Sequence, residues 1–364
     1  MNMHTHKYLT TPRTRSHGFS MVELMVALVI TLILLAGIGQ IFLGSKKSFV
    51  IQNALGRIQE NGRYAMDVLA SDLRRAGYWG GNADINSIIG SQGINAAAAE
   101  ACTDTTNGPS DWTRMLGRPI YGLDLSGTET PADTGNDYTC IENAGATPYV
   151  RGDVLLVRYA HPSAIGSITK PLPCTAGSTI AACYPNEYFL RSSLFRGRLF
   201  KGSESEQVEN GLAAPAIRTA ELVAHAYYIG DSSTASACPA DGNVPSLFRV
   251  SLANGVFAVE EVAYGVDNLQ VKYGIGLDTD GDDINDSFRY FDGDEIDSTD
   301  ATKPDWEDVV AARVWLLVRA ECPETGYTNN NTYAMSEDYT PADTAGRGYR
   351  RKLYTSIINL RNNL

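Results

Sequence analysis

From Met21 to Leu43 the chain is apolar almost throughout, and Glu23 is the one ionisable side chain in those 23 residues. About 20 apolar residues in a helix cross the hydrocarbon core of a bilayer, so the pattern predicts a membrane-spanning helix over residues 19–47. Beyond it the pattern changes period rather than stopping. Ile51, Leu55, Ile58, Ala65, Leu69 and Leu73 recur at three-, four- or seven-residue spacings. Arg57, Glu60, Arg63, Asp67, Asp72 and Arg74 fall mainly between them, which predicts an amphipathic continuation over residues 48–77 with the charges outward. No proline interrupts Phe19 to Ala76, and Gly77-Tyr78-Trp79-Gly80-Gly81 ends the run. At about 1.5 Å per residue this is a helix of roughly 80–90 Å.

The rest of the chain has no second helical pattern. Residues 78–152 are rich in Ala, Gly, Thr, Asn and Asp, with little periodicity, and predict a loop-rich insertion. Strand-like runs follow over residues 153–364: Asp153 to Ala160, Glu187 to Phe200, Thr219 to Ile229, Leu269 to Tyr273, Val309 to Ala320 and Tyr349 to Leu360. The clearest hairpin is Leu247 to Leu252, then Asn254-Gly255, then Val256 to Val259. Asn-Gly between apolar-rich runs marks a two-residue turn, because both turn positions need positive φ. The fold class is α+β: a long N-terminal helix whose second half packs on one meandering antiparallel sheet with long loops.

Charge and cysteines narrow the setting. The formal net charge is −12, and residues 1–18 hold Lys7, Arg13 and Arg15 and no acid, so the remainder stands at −15. An acidic body with no basic stripe argues against nucleic-acid binding. The six cysteines, Cys102, Cys140, Cys174, Cys183, Cys238 and Cys322, form no Cys-x-x-Cys pair and have no histidine at metal-ligand spacing. An even number behind an export signal reads as disulfides in an oxidising compartment. Cys174–Cys183 is the natural local bridge; the other pairings stay open. Past residue 18 only His161 and His225 remain, and His225 lies in the apolar run Leu222-Val223-Ala224-His225-Ala226-Tyr227, where a structural role is the ordinary one. There is no Gly-x-Ser-x-Gly elbow, Walker loop or His-Glu-x-x-His, so the sequence suggests no enzyme.

The basic leader ends at Gly18, directly before Phe19-Ser20-Met21-Val22-Glu23 and the apolar run. An ordinary secretory signal has a shorter apolar core and a cleavage site after it. The arrangement resembles the class III signal of type IV pilins and pseudopilins. That resemblance implies a leader peptide over residues 1–18, cleavage after Gly18 by a prepilin peptidase and N-methylation of Phe19. Glu23 becomes the fifth residue of the processed chain, the filament-assembly acid of that family. A carboxylate in hydrocarbon is costly without a partner, and the new amine of a neighbouring subunit supplies one. Where many major pilins carry a kinking proline, this chain has Gln40 among Gly37, Gly39 and Gly44.

Three later segments resemble the PilW-like minor pilins. They are Glu260 to Gly274, Asp305-Trp306 leading into Val309 to Arg319, and Tyr349 to Asn362. The resemblance implies a pilin fold and a subunit that primes or caps the filament near its tip. Its partners would be other minor and major pilins and the inner-membrane assembly machinery. The head would be periplasmic before assembly and on the cell-surface pilus after it. A J-type pseudopilin of type II secretion and a tip adhesin binding through the loop region are the alternatives.

One acidic run suggests a cation. Asp278, Asp280, Asp282 and Asp286, with the Ile284 carbonyl, stand at ligand spacings of a calcium loop. Arg289 replaces the usual bidentate glutamate, and Asp292, Asp294 or Glu295 would have to fold back to complete the set. The expectation is a weak Ca2+ site.

Overall fold

The computed structural model describes residues 18–82, 84–90, 116–125, 130–131, 141, 147–163, 180–204, 218–234, 238, 243–253, 256–277, 287–297, 300, 302–341 and 348–362. Two compact units divide the chain, Met1–Asn53 and Ala54–Leu364.

In the first unit, helix α1 begins at Met21; it runs without a break to Leu73 in the second. The glycines around Gln40 do not interrupt it. Its large apolar side chains from Val22 to Val50 are all more than half exposed. The helix is long and apolar enough to cross a membrane, with a mean hydropathy of 2.7 over its most apolar window. A helix that is apolar all round needs lipid or other helices to cover it.

The second unit begins with the last turns of α1. Ile58, Gly62, Ala65, Leu69 and Leu73 are buried in one stripe. Gly62 lets the helix approach the sheet closely: a Cβ there would stand 2.3 Å from Cε2 of Tyr354, whose hydroxyl donates to the Ile58 carbonyl at 3.2 Å. After Leu73 the chain turns at Gly77, with φ +74°. The Gly77 amide then donates to the Arg158 carbonyl at 3.1 Å, and the Tyr78 carbonyl accepts from Ala160 at 2.6 Å. Asn362, close to the other end of the chain, donates its amide to the carbonyls of Arg74, Arg75 and Ala76 at 3.1–3.5 Å. These carbonyls follow the last helical residue, and the Arg75 carbonyl also accepts from the Tyr78 amide at 3.0 Å.

Twelve strands follow among the described residues: β1 (Ile88–Ile89), β2 (Ile120–Leu123), β3 (Tyr149–Ala160), β4 (Tyr188–Ser192), β5 (Gly197–Lys201), β6 (Arg218–Asp231), β7 (Pro245–Ala253), β8 (Val256–Tyr264), β9 (Val266–Leu277), β10 (Ser287–Phe291), β11 (Val309–Arg319) and β12 (Arg351–Asn359). They form two sheets where the sequence suggested one. The larger has the order β1-β5-β4-β6-β3-β2, with β7 also on β6 and β8 on β7. The smaller runs β10-β9-β11-β12. All described pairings are antiparallel except β1 with β5. Two short strands, β1 and β2, come from the stretch predicted as loop, and the run Glu187 to Phe200 is a hairpin rather than one strand. Ala253 pairs with Val256, the register that a two-residue Asn-Gly turn gives.

The change of sheet takes place at Gly265, the one residue between β8 and β9. Its φ is +79°, and a Cβ there would lie 3.0 Å from the Arg319 carbonyl oxygen. Only glycine adopts this conformation without strain. β8 stays on β7, while β9 pairs with β11. A local strand pattern carries no record of such a corner. One core serves helix and sheets together: Ile58, Leu69 and Leu73 pack with Leu155, Tyr227 and Ile229 of the larger sheet and Val271, Val314 and Leu316 of the smaller. Trp306 is buried within it, its ring 4.8 Å from those of Tyr121 and Tyr273. Cys238 and Cys322 form a disulfide across 84 residues of sequence. Cys183 is also disulfide-bonded, whereas Cys102, Cys140 and Cys174 lie outside the described residues.

The close approach at Gly62 is open to measurement. Gly62→Val should lower stability by about 2 kcal/mol through overpacking against Tyr354. Gly56→Ala, where a Cβ meets nothing within 4 Å, should raise it by up to about 1 kcal/mol through helix propensity. Denaturant midpoints of the detergent-solubilised chain compare them; equal midpoints would refute the helix–sheet packing.

Candidate assembly site

Gly18, Phe19 and Ser20 are exposed ahead of α1. The Val22 amide donates to the Ser20 hydroxyl at 3.4 Å, and the Ser20 amide donates to the Glu23 carboxylate at 3.4 Å. These two bonds cap the first turn: the Ser20 hydroxyl takes the amide two residues on, and the Glu23 carboxylate reaches back to the Ser20 amide. The negative charge also sits in the first turn, where the helix dipole favours it. The Ser-x-x-Glu spacing was visible in the sequence. Glu23, expected as a partner for another chain, also has a role within its own.

At the other end of α1 a carboxylate is buried. Asp72, predicted on the outward face, is only 4% exposed. It lies three residues after Leu69 and so belongs to the inward stripe, a signal the periodicity did contain. The Tyr159 hydroxyl of β3 donates to its Oδ1 at 2.9 Å, and the Tyr227 hydroxyl of β6 to its Oδ2 at 2.5 Å. Nδ1 of His225, also on β6, is 2.5 Å from Oδ2. A ring nitrogen this close to a carboxylate carries the proton. Burial pushes Asp72 up, but the hydrogen bond and charge of His225, then the two tyrosine hydroxyls, outweigh it and hold the acid below its ordinary value. Burial and the adjacent carboxylate push both phenols well above theirs. His225 is thus a partner of the helix.

A second buried carboxylate ties strands together. Asp267 of β9 is fully buried; Nε of Arg351 on β12 donates to Oδ2 at 2.6 Å and Nη1 of Arg151 on β3 to Oδ1 at 3.2 Å. Arg151 also donates to the Tyr339 hydroxyl at 3.0 Å. The contact bridges the two sheets. Nearby, Asp153 of β3 accepts from the amides of Val271 at 2.7 Å and Leu125 at 3.4 Å. Its neighbour Asp124 is hydrogen-bonded to it. Burial, and then the charges of Asp292, Asp294 and Glu337, raise Asp124 to about 6.

Of the acids considered for a cation, Asp278, Asp280, Asp282 and Asp286, with Ile284, lie outside the described residues. Asp292 is occupied by Lys272 Nζ at 2.8 Å and the Ser336 hydroxyl at 2.6 Å, and Glu295 accepts from the Asp292 amide at 3.0 Å. Among the described residues no group of three or more ligand side chains could hold a metal.

Residues 226–362 match the family model of the type IV pilus-assembly protein W, and residues 13–39 match the prokaryotic N-terminal methylation motif. Together these two segments, less than half of the chain, indicate a type IV pilus minor pilin of the PilW kind. No curated protein is similar to it over its sequence. Among solved structures, a type IV-like pilin from Thermus thermophilus is 13% identical, with 59% of this chain and 81% of that one covered. Its TM-score of 0.24 is too low to bear on the fold.

The two matches leave out the fastening of the helix. Asp72, Tyr159 and His225 all lie outside them, and Tyr227 is the second residue of the PilW segment. In this pilin the acid that seats the helix therefore joins an unmatched stretch to the edge of the matched body. The Asp267 contact instead links matched strands β9 and β12 to unmatched β3.

Removing Asp72 leaves two buried hydroxyls and an imidazole without their acceptor, so Asp72→Ala should cost about 3 kcal/mol. The two carboxyl groups should act with opposite sign in pH. Asp72 is lowered, so its contribution is present above the ordinary carboxylate value and lost as pH falls through its folded value. Asp124 is raised, so its contribution is present below the ordinary value and lost as pH rises through about 6. Urea midpoints measured from pH 3 to 7 should fall less at the acid end in Asp72→Asn. In Asp124→Asn they should fall less between pH 4 and 6. The same pH curve in all three proteins would contradict both assignments.

Proposed function

We propose that this pilin is processed after Gly18, inserted as a single span and used to prime or cap a type IV pilus near its tip. The observation that supports this best is the contrast along α1. From Val22 to Val50 its apolar side chains are exposed, whereas from Ile58 to Leu73 it is seated in the head by an apolar stripe and the Asp72 contacts. The exposed half suits lipid before assembly and the helices of other pilins after it. The seated half carries the head with it.

In this reading a prepilin peptidase cuts the Gly18–Phe19 bond and methylates Phe19. The Glu23 carboxylate then has two roles, capping its own helix and attracting the terminal amine of a neighbouring pilin. The body is periplasmic before assembly, which suits its disulfides. Its work is mechanical rather than catalytic: the half-buried His225 and the two buried tyrosines are engaged with Asp72, and the other polar contacts join helix to sheet and sheet to sheet.

Glycine is required at the cleavage position because a side chain would enter the peptidase site, so Gly18→Val should leave the leader attached. N-terminal sequencing of the wild type should begin at methylated Phe19, and a start near Gly39 would indicate ordinary signal-peptidase cleavage instead. Glu23→Gln keeps an acceptor for the Ser20 amide but removes the charge. Both Glu23→Gln and Glu23→Ala should insert into the membrane normally and be several-fold depleted from sheared pili. Normal incorporation of Glu23→Gln would confine this acid to capping.

A further inference from the structure

The β4–β5 hairpin ends in a tip whose chemistry differs from the rest of the head. Ser192 pairs with Gly197, and the four residues between them close tightly. The Ser193 amide donates to the Arg196 carbonyl at 2.8 Å, and the Arg196 amide to the Ser193 hydroxyl at 3.3 Å. This geometry leaves the two middle side chains pointing away from the protein: Leu194 is 68% exposed and Phe195 82%. Phe195 is the most exposed large apolar side chain among the described residues of the second unit. Ile89, 70% exposed, adds to the same end of the sheet, because β1 runs beside β5 with Ile89 opposite Arg198.

Charge singles out the same hairpin. From Tyr188 to Lys201 there are four cations, Arg191, Arg196, Arg198 and Lys201, and no acid, in a chain with a net charge of −12. Arg196 is at the tip, and Arg191 and Arg198 face each other in register two residues behind it. Arg218 pairs beside Ser192 and extends the basic end onto β6.

A compact apolar tip ringed by arginines matches the interface of an anionic bilayer. The rings and methyl groups enter the headgroup boundary, and the guanidinium groups stay among the phosphates. We propose that the Leu194–Phe195 tip, with Arg191, Arg196 and Arg198, docks the head of this pilin onto anionic lipid before assembly. The proposal rests on the membrane-anchored reading above, since a tethered head remains within reach of a lipid surface. The aromatic tip supplies insertion, and the arginines supply the preference for anionic headgroups. Withdrawal of the tip would then accompany entry into the filament.

Photo-crosslinking tests this in the full-length protein. Benzoyl-phenylalanine replaces Phe195, or as a control Phe288 of β10, which is 61% exposed on the other sheet. Each protein is reconstituted in vesicles of phosphatidylcholine alone or with phosphatidylglycerol, and the adducts are read by mass spectrometry. Resistance to carbonate extraction reports the anchor independently. The expected result is a lipid adduct at position 195 but not at 288, about tenfold stronger with phosphatidylglycerol and lost in an Arg196→Glu, Arg198→Glu double variant. A carbonate-resistant protein with no lipid adduct at 195, or with adducts only to a second protein copy, overturns the docking and leaves the anchor standing. Equal adducts in both lipids overturn the role of the arginines. A protein extracted by carbonate overturns both readings.

Discussion

Asp72 is the point on which the head depends. It is the penultimate residue of a 53-residue helix, and its carboxylate accepts from β3 and β6 at once. Apolar contacts at Ile58, Leu69 and Leu73 press the helix onto the core, but such contacts are non-directional and permit sliding or rotation. Three donors converging on one carboxylate allow one rotation and one depth. A buried charge is costly to dehydrate, so this contact selects the seat of the helix more than it adds net stability. Asn362 and Gly62 refine the same seat, one by closing the carbonyls after the helix and the other by removing a side chain where Tyr354 must pass.

The helix can be seated in this way only because two sheets reach it. The chain leaves the larger sheet at Gly265 and immediately enters the smaller one. Asp267, two residues later, is held by an arginine from each sheet. Positive φ at the corner and a buried ion pair beside it set how the sheets meet, and the core residues of α1 fill the space that results. The Cys238–Cys322 bridge adds a covalent tie between the segment before β7 and the one after β11. The corner, the bridge and the Arg351–Asp267 arm of the ion pair lie within the stretch that matches the PilW model, whereas Arg151 joins them from unmatched β3.

This arrangement suits a subunit whose helix is shared between two environments. Residues up to Val50 keep their apolar surface open, whereas those from Ile58 onward spend theirs on the head.

The sequence by itself determined the features that short-range physics controls. The apolar run, the amphipathic continuation, the stop at Gly77 and most strands follow from hydrophobic period and glycine position, and the β7–β8 register follows from Asn-Gly. The cap made by Ser20 and Glu23 is equally local. Tertiary structure decided what depends on groups far apart in the chain. Asp72 became an interior residue because Tyr159, His225 and Tyr227 arrive from 87 to 155 positions away. Cys238 met Cys322 across 84 residues, and one expected sheet became two at Gly265, because both depend on contacts between segments far apart in the chain. A pattern of apolar positions specifies which face of a segment turns inward; the partners that let a charge turn inward with it are supplied only by the assembled fold.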